Sequence, residues 1–179
     1  MSEILNLAKA FNWQNPSWDL FIFLFWSVAS VIYAFTSGRG RIINILFSVY
    51  IAKLLTLEAP FLTKAIENKL PENLASVQQL VSFVILFLVM FFFLGRFAFR
   101  TSADGRHLGS LVFGLIFAVL QVGLLINIIL TFLPADIQKN FGELVRILFV
   151  GQTASFIWLL APLGFLIVLG RHVSDGNEI

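Results

Sequence analysis

Four long runs of this chain contain no charged residue. They cover residues 20–38, 73–95, 108–135 and 147–170, with lengths of 19, 23, 28 and 24 residues. Each matches the ~20 apolar residues that cross a hydrocarbon core about 30 Å thick. Together they hold 94 of the 179 residues, so all 22 charges fall in the other 85. The composition agrees, at 59% hydrophobic and 12% charged, against about 45–50% and 25% in soluble domains. A soluble enzyme, a disordered tail and a nucleic-acid-binding module are excluded as descriptions of the whole chain. The net charge of +2 is too small to imply an acidic partner. The reading is a single integral membrane domain over residues 1–179, with the lipid bilayer as its first partner and no nucleic acid.

Only helices and closed barrels satisfy every backbone group in hydrocarbon. Barrel strands are ~10 residues long and alternate with period two, whereas residues 83–94 are apolar without interruption. The expected class is therefore all-α, a polytopic transmembrane bundle of four to five spans. The fifth segment, residues 42–57, is the weaker one. It is 16 residues long and contains Asn44 and Lys53, which fits a short or tilted span or a re-entrant half-helix. Thr36 to Arg41 is too short to do more than reverse the chain, so residues 20–35 and 42–57 are expected to form an antiparallel helical hairpin. With six residues in that turn, Gly38 or Gly40 is expected at φ > 0, which is cheap only for glycine. Asn44 is read as capping or extending the turn.

Pro60 suits the first turn of a further helix. Phe61, Leu62, Ala65, Ile66 and Leu70 fall on one face of it, with Lys64, Glu67 and Asn68 opposite. Such a short amphipathic helix is expected in the membrane interface, ending at Pro71. Pro134 ends the third uncharged run, and residues 136–143 form a polar turn before the last span. The segment before residue 20 has Lys9 as its only cation, offset by Glu3, so the first run is read as an uncleaved span rather than a signal peptide. With five crossings, one side receives Arg39, Arg41, Arg96, Arg100, Arg106 and Arg171. The other receives Lys9, Lys64, Lys69, Lys139 and Arg146, with Lys53 near it. Six against five is nearly even, but five of the six arginines crowd two tight loops. The positive-inside rule then puts the N-terminus outside and the C-terminus in the cytoplasm.

Chemistry has few carriers here. The chain has no Cys, so thiolate nucleophiles, iron–sulfur clusters and Cys-ligated zinc are out. His107 and His172 are far apart and show no metal-ligand spacing. No Ser has a base at a plausible local spacing. Gly38-Arg39-Gly40-Arg41 lacks the downstream residues of a phosphate loop. No catalytic, cofactor or metal residue is assigned, and a non-enzyme is expected. Lys53 is the one formal charge inside a span, and intramembrane charges are functional candidates by default. Its bland reading is snorkelling or pairing with Glu58. Gln121 and Asn127, six apart in the long third run, are each expected to hydrogen-bond a neighbouring helix. Lys53 and Asn127 are the residues a small transporter or channel subunit would use. Small residues recur at four-residue spacing at Ser30, Ala34 and Gly38, at Ser48 and Ala52, at Ser110, Gly114 and Ala118, and at Gly151 and Ser155. These stripes serve helix packing, within the bundle or with a second copy.

Two patches resemble the colicin V production protein family. Residues 33–48, Tyr-Ala-Phe-Thr-Ser-Gly-Arg-Gly-Arg-Ile-Ile-Asn-Ile-Leu-Phe-Ser, are similar to that family's first span running through an Arg-Gly turn into a second helix. Residues 104–114, Asp-Gly-Arg-His-Leu-Gly-Ser-Leu-Val-Phe-Gly, resemble its second signature, an Asp/Asn-Arg-x-Leu-Gly lead into a glycine-bearing span. Ser155 to Pro162 fits loosely near the C-terminus. The chain departs from the pattern in three places. An Arg-Gly pair after Gly114 is missing, one extra residue separates Asp104 from Arg106, and the last run adds a span to the usual four. The resemblance implies a bacterial inner-membrane protein that assists toxin production or export, or envelope homeostasis, through a protein partner or its own oligomer. The matched positions are Gly38, Arg39, Gly40, Asp104, Arg106, Gly109 and Gly114.

Overall fold

The computed structural model describes residues 18–36, 39–69, 77–97 and 111–175, and no strand occurs among them. Helix α1 covers Trp18–Thr36, α2 Arg39–Glu58, α3 Pro60–Glu67, α4 Gln78–Phe97 and α5 Leu111–Phe132. Short helices α6 (Ala135–Gln138) and α7 (Glu143–Val145) lead into a π-helical turn, Arg146–Val150, and then into α8, Gln152–Asp175. The protein is an all-α bundle. Asp19–Thr36, Gln78–Phe97 and Val112–Phe132 are each long and apolar enough to cross a membrane. Two further spans result if each bent pair of helices counts as one: α2 with α3, at 84°, and the segment before Gly151 with α8, at 54°.

The expected hairpin does not form. Helices α1 and α2 are consecutive but do not pack along each other; α1 lies on α5 and α2 on α4. The sequence of each helix gives the reason. In α1, Ile22, Trp26, Ala29 and Tyr33 recur on one face and are half-buried, while Phe21, Phe25, Val28, Ile32 and Phe35 are exposed. That single inward stripe is taken by α5 and by the rings of Phe149 and Trp158. In α2 the buried face is Ile42, Leu46 and Val49 with the small polar Asn44 and Ser48. It meets Phe83 and Leu86 in the same core, and a Cβ on Gly95 would stand 3.0 Å from Asn44 Nδ2. The turn is shorter than six residues as well. Helix α2 already begins at Arg39, so Gly40 is helical and needs no positive φ. Gly38 lies outside the described residues.

Cross-helix contacts fix the directions. Asp19 at the start of α1 accepts a 2.7 Å hydrogen bond from Gly142 N, in the connection that follows α5 and α6 and immediately precedes α7. Asn44 near the start of α2 donates to Phe91 O near the end of α4, at 3.2 Å. Phe83 near the start of α4 lies 5.5 Å from Phe132 at the end of α5. Phe165, well along α8, sits 6.2 Å from Phe113 at the start of α5. Each of these pairs is antiparallel, so α1, α2, α4, α5 and α8 alternate in direction. One end of the bundle carries Arg39, Arg41, Arg96 and Arg171. The other carries Glu58, Lys139, Glu143 and Arg146.

Helix α3 starts at Pro60, as its sequence requires, and packs on α2 and α4. Leu62 and Ile66 face the bundle, half-buried, while Phe61 and Lys64 are exposed. An exposed phenylalanine beside a lysine on a helix turned 84° from its span is the pattern of a helix in the interface.

Candidate functional site

The last uncharged run is not one straight span. Its helix stops at Gly151, whose φ of −68° and ψ of 153° are extended. Before it the chain winds as a π turn, with Gly151 N donating to Arg146 O at 3.2 Å rather than to the residue four back. The sequence here is Gly151-Gln152-Thr153-Ala154-Ser155, five small or polar residues inside an apolar run. Helix α8 then restarts, with Ser155 N bonded to Gly151 O at 2.9 Å. A break of this kind frees the carbonyls of the turn before it. In hydrocarbon those groups need partners from the protein.

Two side chains supply them. Trp158 Nε1 donates to Leu148 O at 2.8 Å, reaching back across the break from α8. Asn127, fully buried on α5, donates through Nδ2 to Phe149 O, and its Nδ2 lies 3.1 Å from Ser155 Oγ. One carboxamide therefore touches the chain on both sides of the break. Asn127 stands five residues before the end of α5, about 7–8 Å inside that end at 1.5 Å per residue.

Aromatic rings close the inner side. Phe149 and Trp158 are stacked with centroids 5.4 Å apart and a 10° interplanar angle. Trp26 of α1 stands edge-on to both, at 5.5 Å and 5.8 Å, and donates from Nε1 to Val119 O at 3.0 Å. Gly123 of α5 makes room for the stack, since a Cβ there would overlap the Trp158 ring. Farther along α8, the Tyr50 hydroxyl of α2 donates to Leu159 O, three residues before Pro162. On the outer side an open groove is lined by Glu143, Arg146, Ile147, Val150 and Gly151.

The structure treats the sequence-predicted residues unequally. Asn127 is where the bundle concentrates its polar chemistry, bonded to a neighbouring segment as expected. Gln121 is not: it is fully buried, and neither carboxamide atom has a partner among the described residues. Asn44 caps nothing; it sits inside α2 and ties it to α4. Lys53 is half-buried on α2 and does not pair with Glu58. Among the described residues the one ion pair is the exposed Lys139–Asp136. No hydrogen bond joins Lys53 to Asn127, so the structure does not assemble them into one site. Arg39 and Gly40 open α2, and Gly114 lies buried on α5 with nothing within 4 Å of an added Cβ. Asp104, Arg106 and Gly109 lie outside the described residues.

Sequence reasoning passed over Asp19, Trp26, Gly123 and Trp158. The polar cluster at Gly151 and Pro162 inside the same run were the available signals for the break. No family model matches this sequence, and no curated protein and no solved structure matches it.

Proposed function

We propose that this chain is a multi-pass protein of a bacterial inner membrane that assists toxin production or export, or envelope homeostasis, without catalysing a reaction. This is the role implied by its resemblance to colicin V production proteins. One observation carries the reading. The two resembling patches are far apart in sequence, yet both run into helices, α2 and α5, that begin at the same end of the bundle. That end is the one bearing Arg39, Arg41 and Arg96. Two motifs with a common function would share a face in this way, and the cationic end is the one that the positive-inside rule assigns to the cytoplasm. The carboxamides of Asn44 and Asn127 support a scaffold role, since both hold one helix to another.

The test is deletion and complementation in the source bacterium, with crosslinking pull-down from its native membranes. Loss of the chain is expected to lower tolerance to detergents or to reduce peptide export, and the pull-down to yield a specific partner or the chain itself. Arg39→Ala combined with Arg41→Ala is expected to accumulate in membranes at a normal level but fail to complement. Full complementation by that double variant, or a deletion strain indistinguishable from its parent, overturns the reading.

A further inference from the structure

The segment from Glu143 to Gly151 descends into the membrane. Gly142 bonds Asp19 at the very start of α1, and Phe149 O accepts from Asn127, five residues inside the end of α5. Along this descent runs a groove of about 600 Å³, lined by Glu143, Arg146, Ile147, Val150 and Gly151. These positions are spaced i, i+3, i+4, i+7 and i+8, so they share one face of the winding chain. From the water inward, that face carries a carboxylate, a guanidinium and then apolar surface.

The two charges are uncommitted. Glu143 and Arg146 are exposed and stand three residues apart, a spacing at which opposite charges on a helix pair. They do not pair with each other, since the one ion pair among the described residues is Lys139–Asp136. Neither side chain is hydrogen-bonded among those residues. Gly151 keeps the inner end open. A Cβ there would meet only Ile147 O, at 4.0 Å, so a side chain at this position would extend into the groove.

An occupant has to match the order of the lining. It needs a cation at the water side, an anion about 4.5 Å deeper (three residues at 1.5 Å each) and hydrocarbon below. An upright phospholipid with an ethanolamine headgroup has that order: ammonium outermost, phosphate next, acyl chains innermost. The guanidinium fork of Arg146 suits the phosphate, and the Glu143 carboxylate suits the ammonium, which brings three N–H donors. Ile147 and Val150 lie along the upper part of an acyl chain. Two related lipids match less well. A glycerol headgroup gives Arg146 its phosphate but offers Glu143 no cation. A choline headgroup carries the charge without an N–H, and quaternary ammonium groups are held by aromatic faces, which the lining residues lack.

We propose that this groove binds a phospholipid with a primary-ammonium headgroup, its phosphate on Arg146 and its ammonium on Glu143. The proposal is independent of the export-assistance reading, because it concerns the end of the bundle opposite Arg39, Arg41 and Arg96.

The experiment is thermal unfolding of the purified, delipidated full chain in detergent. Ethanolamine, choline and glycerol phospholipids with identical acyl chains are added in separate series. A ligand that binds only the folded state raises stability with its concentration. The melting temperature is expected to climb further with the ethanolamine lipid than with the other two. Glu143→Gln should erase the advantage of the ethanolamine lipid over the choline lipid. It should leave the lipid-free melting temperature unchanged, since the exposed carboxylate has no partner to lose. Arg146→Gln should shrink the increments from all three lipids, and Gly151→Leu should abolish the ethanolamine advantage by filling the groove. Should Gly151→Leu fail to fold, Glu143→Gln and Arg146→Gln decide the matter. Soluble phosphoethanolamine, which has no acyl chain to lie along Ile147 and Val150, is expected to give no shift; a shift equal to that of the lipid would assign the groove to a free phosphate compound and overturn the proposal. Equal increments from the three lipids, or an ethanolamine advantage that survives Glu143→Gln, also overturn it.

Discussion

Glycine acts in this bundle at positions chosen by a distant partner rather than by a repeat. Gly114 belongs to the four-residue stripe with Ser110 and Ala118, yet a Cβ on it meets nothing within 4 Å. Gly123 belongs to no stripe, yet a Cβ on it overlaps the Trp158 ring. Trp158 has its own constraint, because its indole N–H is held by Leu148 O and its ring is stacked on Phe149. The ring cannot move aside without losing both. Gly123→Ala is therefore expected to lower stability by about 1–3 kcal/mol, the usual penalty for overpacking. Gly114→Ala should change it by less than about 0.5 kcal/mol. Chemical or thermal unfolding in detergent reads both, and equal effects at the two sites would refute the argument. The contrast shows what a sequence discloses at this scale. Asn127 was legible, because a lone amide deep in an uncharged run is costly and needs a reason. Gly123 was not, because its partner lies 35 positions later, on a helix whose rotation the sequence does not state.

Between elements, the fold rests on how a helix end is satisfied without water. The run 147–170 reads as one span by charge alone, and its existence was legible in that way. Its geometry was not. The break at Gly151 depends on donors from other elements, Asn127 from α5 and Trp158 from beyond the break. The pairing of α1 with α5 was equally hidden, since a short connection between α1 and α2 suggests a hairpin. Both helices are apolar on faces that lipid can also cover, so proximity in sequence carries little weight in choosing a partner. Asp19 shows the same logic at a helix start. In the sequence it is a charge abutting an apolar run; in the fold it is buried and holds the Gly142 amide. The break offers a direct measurement. Trp158→Phe keeps a ring to stack on Phe149 and removes the N–H that reaches Leu148 O together with one ring of the indole. Hydrogen bonds in membrane bundles average about 0.6 kcal/mol and reach about 1.7 kcal/mol. The donor's share of the lost unfolding free energy should fall in that range, with the packing lost with the second ring added to it. A much larger loss would mean that the indole's bulk, rather than its donor, holds the bend.

For the whole molecule, the alternation of five helix directions decides which residues share a side. Each antiparallel contact supplies one link: Asp19 with Gly142, Asn44 with Phe91, Phe83 with Phe132, Phe165 with Phe113. Combined, they put Thr36, Arg41 and Phe97 at one end, and Asn68 and Asn140 at the other. The charge count alone was nearly even at six against five, so the sequence left orientation resting on arginine density. The helix directions strengthen the grouping, because Arg39, Arg41, Arg96 and Arg171 fall together whichever way the bundle inserts. Moving that cationic end across the membrane is disfavoured relative to scattered lysines. Cysteine labelling reads the result cleanly, as the chain has no Cys of its own. Single cysteines at Thr36 and Phe97, both exposed, should resist an impermeant thiol reagent in intact cells. Those at Asn68 and Asn140, also exposed, should react. The reverse pattern, with the same pairs still together, would keep the alternation and invert the insertion. If instead Thr36 and Phe97 label differently, α2 and α4 do not form an antiparallel pair of crossings, and the five-span arrangement fails.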